Sequence, residues 1–250
     1  MRHHLAISPD IHVRHLGDWY LLAARLSRLT GRPIRATYYD DFDELHRAQA
    51  AGDVDLVVAN AADATTLVRQ SGFLAVARPA GMSDEASVVV VADSPLVSLE
   101  GLPSPLRVAA TDAPDVECIC RILLEPADLE PSAVRLTRKR NYTLVAKSVL
   151  TGEADAGFIL RAAFDNLSGS VRAGLRALVS SHIYVLTHAF MVGPALAGHA
   201  WLLLEALERL ASDPANEGML AGLGAPHGWQ RLNDEDVYFM LDLMSALSPS

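Results

Sequence analysis

Gly52-Asp53-Val54-Asp55-Leu56-Val57-Val58-Ala59-Asn60 returns in outline one hundred residues later as Gly152-Glu153-Ala154-Asp155-Ala156-Gly157-Phe158-Ile159-Leu160. Each copy follows a stretch whose apolar residues recur at helical spacing. In each, a Gly suited to ending a helix precedes an acid, a small apolar residue, an Asp and a short apolar run. A run that apolar is buried on both faces, as in a parallel strand covered by helices. A helix feeding a parallel strand, written twice, predicts two α/β lobes. Ligands of open parallel sheets bind beyond the carboxyl ends of the strands, so two such lobes facing each other predict a clamp around a cleft.

Working outward, Leu5 to Ser8 predicts a short strand ended by Pro9-Asp10, and Leu16, Trp19, Tyr20, Ala23, Leu26 and Leu29 predict a helix closed by Gly31. Residues 33–38 predict the next strand, and Asp41-Phe42-Asp43-Glu44 reads as a capping box before a helix over 42–51. Asn60 caps a further helix to about Gln70, followed by a strand over 73–78. The valine run 88–91 predicts a buried strand that crosses between lobes. The second lobe then repeats the first: strands at 107–110, 133–137 and 177–180, helices at 116–124, 142–150 and 161–167. Residues 190–194 predict a returning crossing, and helices over 200–211, 216–223 and 234–247 predict a tail that covers the first lobe.

The 250 residues are 50% hydrophobic and 20% charged, with mean hydropathy +0.19, which is a globular composition. A formal charge of −9 excludes a protein built around a nucleic-acid backbone, which needs clustered Lys and Arg. The apolar runs are strand-sized, so no membrane insertion is expected. Residues 1–8 lack an apolar signal core. The expected compartment is periplasmic if a signal peptide was removed from this chain and cytoplasmic if Met1 is the native start. The two cysteines, Cys118 and Cys120, lie about 200° apart around a helix, so they neither form a disulfide framework nor point into one site. The nine histidines show no zinc spacing, and no Gly-rich phosphate loop or nucleophile elbow is present, so no metal, cofactor or catalytic residue is expected.

In order and spacing these stretches resemble the phosphate, phosphite and phosphonate solute-binding proteins of ABC transporters, over nearly the whole chain. The likeness is carried by Asp41-Phe42 through Gly52-Asp53-Val54-Asp55, by the linker Asp93-Ser94 to Ser98-Leu99-Glu100-Gly101-Leu102, and by Gly222-Leu223-Gly224, Gly228-Trp229 and Asp234 to Tyr238. The resemblance implies an α/β fold of the periplasmic-binding-protein type II: two Rossmann-like lobes with a ligand cleft between them, joined by two hinge crossings. Lobe I takes residues 1–86 and 190–250, lobe II residues 87–189, with hinges at 86–93 and 187–194. It also implies a monomeric, non-catalytic receptor for a small oxyanion or zwitterion, partnered by an ABC permease or a sensor protein. Two departures bear on the ligand. Where the family has Gly-Pro-x-Ser, this chain has Ala59-Asn60-Ala61-Ala62; where it has a Ser/Thr-Ser-Gly cluster, Thr111 alone keeps a hydroxyl in Thr111-Asp112-Ala113-Pro114-Asp115-Val116-Glu117-Cys118. The family's His falls at Tyr142 and its leading Tyr at Phe42.

The expected cleft residues are Asp10, His12, Asp41, Phe42, Asn60, Ala61, Ala62, Thr111, Asp112, Asp115, Glu117, Cys118, Arg140, Asn141, Tyr142 and Arg161. Arg140 and Arg161 suit a phosphonate or carboxylate through forked donors, whereas the acids repel a lone anion. Two readings reconcile them. Either the acids cap the helix at Val116 and pair with nearby arginines, or the ligand is a zwitterionic aminophosphonate or amino acid whose ammonium meets an acid. Cys118 is either a buried small hydrophobe or, as a branch of the family implies, a contact for a thiophilic ligand such as arsenite. The alternatives to a receptor are a cytoplasmic enzyme on the same fold, as in the menaquinone route, with Cys118, Asp115 and His12 as its unpaired candidates, or an effector-sensing domain.

Overall fold

The computed structural model describes residues 2–9 and 15–247. The chain divides into two compact units, Met1–Ser83 with Val185–Ala246, and Asp84–Tyr184 with Leu247–Ser250. The first begins with β1 (His3–Ile7), α1 (Leu16–Thr30), β2 (Ile34–Tyr38), α2 (Phe42–Ala50), β3 (Leu56–Ala59), α3 (Ala61–Ser71) and β4 (Leu74–Pro79). The second holds β5 (Ala86–Val91), β6 (Leu106–Ala110), α4 (Pro114–Leu123), β7 (Val134–Arg138), α5 (Tyr142–Leu150), β8 (Ala156–Leu160), α6 (Arg161–Asp165), α7 (Gly169–Ala173) and β9 (Leu175–Ser180). The chain then returns with β10 (Ala189–Val192), α8 (Ala200–Ala211), α9 (Glu217–Gly222), β11 (Trp229–Arg231) and α10 (Asp234–Leu247).

The repeated segments do the same work in both units. Gly52 and Gly152 lie at φ 75 and φ 73, the left-handed region in which Gly ends a helix without a side-chain clash. The Asp immediately before each strand then ties that strand to its neighbour. Asp55 N–H donates to the His4 carbonyl at 3.0 Å while its carboxylate accepts the His4 N–H at 2.8 Å. Asp155 does the same with Arg107, at 2.8 Å and 2.9 Å, and its carboxylate also receives the Arg107 guanidinium. Each ring satisfies backbone groups just before ladder pairing starts and sets the register of the parallel strands.

In both units three parallel strands are followed by an antiparallel one. The first sheet runs β11-β4-β10-β3-β1-β2, and the second β7-β6-β8-β5-β9. β10 pairs antiparallel with β3, Ala189 opposite Ala59, and β5 pairs antiparallel with β8, Ala86 opposite Leu160. The segments expected as crossings are therefore strands inside sheets. The chain passes between units a few residues earlier, at Ser83–Asp84 and Tyr184–Val185. The physical reason is burial: Val88, Val89, Val90, Phe190, Met191 and Val192 are all fully buried, and a run that apolar is stable only with ladder partners on both sides and helices above and below.

Trp19, Leu22 and Leu26 of α1 meet Leu5 and Ile7 of β1 and Leu203, Leu207 and Leu210 of α8 in the first core, so the tail does cover the first sheet. Phe190 and Trp229 pack edge to face at 5.8 Å. β11 and α7 have no counterpart in the sequence reading. β11 is three residues long, too short for a period, and forms because β4 offers an open edge.

Candidate functional site

Parallel strands bring their carboxyl ends to one edge of a sheet, which gathers the candidate residues unit by unit. In the first unit, Asp10 and His12 lie outside the described residues. Asp41 accepts the Glu44 N–H at 2.7 Å and caps α2; Phe42 is buried, its ring 6.0 Å from that of His46. Asn60 is buried after β3 and accepts the Asp63 N–H at 2.8 Å, capping α3, with Ala61 buried and Ala62 half-buried beside it.

This edge also holds residues that sequence reasoning did not select. His46 Nε2 lies 2.8 Å from Asp63 Oδ1, joining α2 to the first turn of α3. The two are seventeen positions apart, and no spacing rule couples them. Thr187 and His188 reach the same edge because β10 begins at Ala189 opposite Ala59. Asp40, Asp41 and Glu44 bring carboxylate oxygens within 4.8 Å of one another. Burial, aided by Glu44 and Asp53, pushes the neighbouring Tyr39 phenol up.

In the second unit Thr111 is buried at the end of β6, and α4 starts at Pro114 with no side-chain cap. Asp112 lies 3.3 Å from Arg138 Nε, and Glu117 accepts from Arg138 and from Arg121 Nε at 2.9 Å. These two acids thus pair with nearby arginines, Arg138 and Arg121, as the first of the two readings has it, but the α4 start carries no side-chain cap. Asp115, on the first turn of α4, is 1% exposed. Cys118 and Cys120 are buried; burial raises the Cys118 thiol and carries that of Cys120 well above the ordinary cysteine range. Arg140 is exposed, Asn141 caps α5 by accepting the Leu144 N–H at 3.0 Å, and Tyr142 is buried. Exposed Arg161 opens α6, its side chain donating to Asp165 at 3.0 Å.

A cavity of about 640 Å³ lies elsewhere in the first unit, along the outer strand β2 and α1, lined by residues such as Arg2, Tyr20, Ser27 and Thr37. None of the candidate ligand residues lines it.

The profile of a family described as "ABC transporter, phosphonate, periplasmic substrate-binding protein" matches residues 5–237. The chain belongs to this family. As a phosphonate-type substrate-binding protein it is a receptor component of an ABC transporter, and the family is one of transport proteins rather than enzymes, so the enzyme and effector-domain alternatives are not favoured. The fold is shown by solved structures as well. The binding-protein component of an ABC phosphonate transporter from Pseudomonas aeruginosa superposes with TM-score 0.81 at 15% identity, covering 98% of this chain and 86% of that one. PhnD1 from Prochlorococcus marinus, in complex with methylphosphonate, gives 0.82 at 15% identity, covering 98% and 97%. The alkanesulfonate-binding protein SsuA from Xanthomonas axonopodis pv. citri, bound to MOPS, gives 0.63 at 18% identity, covering 99% and 84%. No curated protein sequence matches the chain. Among the described residues no helix of this phosphonate-family protein is long and apolar enough to cross a membrane.

Proposed function

We propose that this family member takes a small phosphonate that also carries an ammonium group, an aminophosphonate zwitterion, and delivers it outside the cytoplasm to a membrane permease. The observation that carries the reading is a charge placement. Asp63, on the first turn of α3, and Asp115, on the first turn of α4, are buried carboxylates standing where backbone N–H groups would otherwise receive an oxyanion. A bare dianion is repelled at such helix starts, whereas an ammonium is held. The anionic end has a different host: Arg140, Asn141 and Tyr142 lead α5, whose first turn carries no acid, and Arg161 adds a forked donor. The methylphosphonate held by the Prochlorococcus protein supports the phosphonate half of the reading. Candidate contacts are offered by residues 41–62 of the first unit and residues 111–161 of the second, and no catalytic step is involved. The protein acts as a monomer, without metal or cofactor.

A thermal-shift panel of phosphate, phosphite, methylphosphonate, 2-aminoethylphosphonate, arsenite and free amino acids tests this. A ligand at a hundredfold excess over its dissociation constant adds about 2.7 kcal/mol, or several degrees at this length. The expected hit is 2-aminoethylphosphonate. Tighter binding of phosphate or phosphite, or no shift across the panel, overturns the reading.

A further inference from the structure

Glu85 makes an unusual set of hydrogen bonds at the carboxyl end of the second sheet. Its carboxylate accepts the backbone N–H of Ile183 at 2.9 Å and of Tyr184 at 2.8 Å, and also the Ser181 hydroxyl. Ser181 is itself doubly tied, its Oγ accepting the Ala86 N–H at 3.0 Å and its own N–H donating to the Ala86 carbonyl at 2.9 Å. The Glu85 carbonyl accepts the Arg161 N–H at 2.6 Å. One residue thus joins the start of β5, the end of β8 and the segment leaving β9. All three lie at one edge of the sheet, because β8 and β9 both run antiparallel to β5.

The segment so held is strained. Tyr184 has φ 61, a left-handed backbone that is unfavourable for a non-glycine residue and persists only where neighbours enforce it. Two N–H bonds to one carboxylate are that enforcement. The strain presents an aromatic ring: Tyr184 is 69% exposed, its ring 6.2 Å from that of His182. An ordinary surface turn would place Asn or Gly at such a position. Here an exposed Tyr occupies it, at the strand end that also bears Arg161.

Resting on the phosphonate-receptor reading, we infer that Tyr184 is a specificity-determining residue that packs against the organic substituent of the ligand, and that Glu85 is the positioning residue that holds it there. An aromatic face suits an aminoalkyl chain, through apolar contact along the methylenes and cation–π attraction at the ammonium. Inorganic phosphate and phosphite carry no such chain and gain nothing from the ring. Glu85 touches no ligand; it acts through the backbone of residues 183 and 184.

The test is calorimetric titration of 2-aminoethylphosphonate, methylphosphonate and phosphite into the full chain and into Tyr184→Ala, Tyr184→Phe and Glu85→Gln, with melting curves for folding. Tyr184→Ala removes an exposed side chain and leaves the fold intact. It should weaken 2-aminoethylphosphonate about tenfold relative to phosphite, Tyr184→Phe should restore the preference, and Glu85→Gln should erode it with the Tyr still present. A Glu85 that were merely structural would weaken all three ligands together. An unchanged preference in Tyr184→Ala overturns the inference while the receptor reading stands. A wild-type chain that binds none of the three overturns both.

Discussion

Asp155 and Arg107 show how one residue type at one position joins sequence to stability. Asp155 receives the Arg107 backbone N–H and its guanidinium, and the hydrogen bond from Arg107 holds its carboxyl below the ordinary aspartate value against a smaller opposing effect of burial. The sign follows from linkage. A carboxyl whose folded value is depressed contributes stability above the unfolded value, near pH 4, and loses it as the pH falls through the folded value. Asp155→Asn should therefore lower stability at neutral pH and flatten the acid limb of a urea-stability profile below about pH 4; an unaltered limb would mean the ring is not coupled to folding. The recurrence of this Asp was legible in the sequence, but its partner was not. Arg107 lies forty-eight positions away, and in the first unit the same place is held by His4, a residue of unrelated chemistry, because the bond that matters is to the backbone.

At the scale of elements, helix starts were the most legible features. Asn60 and Asn141 precede apolar-periodic runs, and both side chains accept the backbone N–H three residues on, at 2.8 Å and 3.0 Å. Asn60→Ala should cost about 1 kcal/mol in urea denaturation, and more than Asn141→Ala, because Asn60 is 1% exposed and no water replaces its bond to Asp63. Equal costs would indicate that solvent reaches the α3 start. α5, α8 and α10 appear with the bounds read from periodicity, since their apolar faces are long enough to define a period. α4 begins at Pro114 instead of Val116, as expected of a helix that tolerates Pro in its first turn. The acids around that start were legible as charges, but their pairing with Arg138 and Arg121 was not. Pairing depends on Ala110 standing opposite Arg138 in the β6–β7 ladder, a matter of register.

At the scale of the molecule, the first unit is discontinuous, and β10, inserted between β3 and β4, comes from the far end of the chain. Ending the chain at Tyr184 removes β10, β11 and α8, with Phe190, Leu203 and Leu207 from the first core. Amide hydrogen exchange on that truncated chain should show residues 15–83 unprotected and the β5–β9 sheet still protected; protection in both would show that β10 is dispensable to the first sheet. That there are two α/β units was legible in the sequence, because helix periodicity, capping and double-sided burial are local properties of a chain; strand bounds were less so, and β1 runs His3–Ile7 where periodicity put it at 5–8. That the valine run and the Phe190 strand lie inside sheets came from the fold alone, through ladder pairing with β8 and β3. The fold also put Asp63 beside His46, and tied Glu85 to residues 181–184. Those pairings join positions 17 and about 100 residues apart, set by strand order and register, which no local pattern encodes.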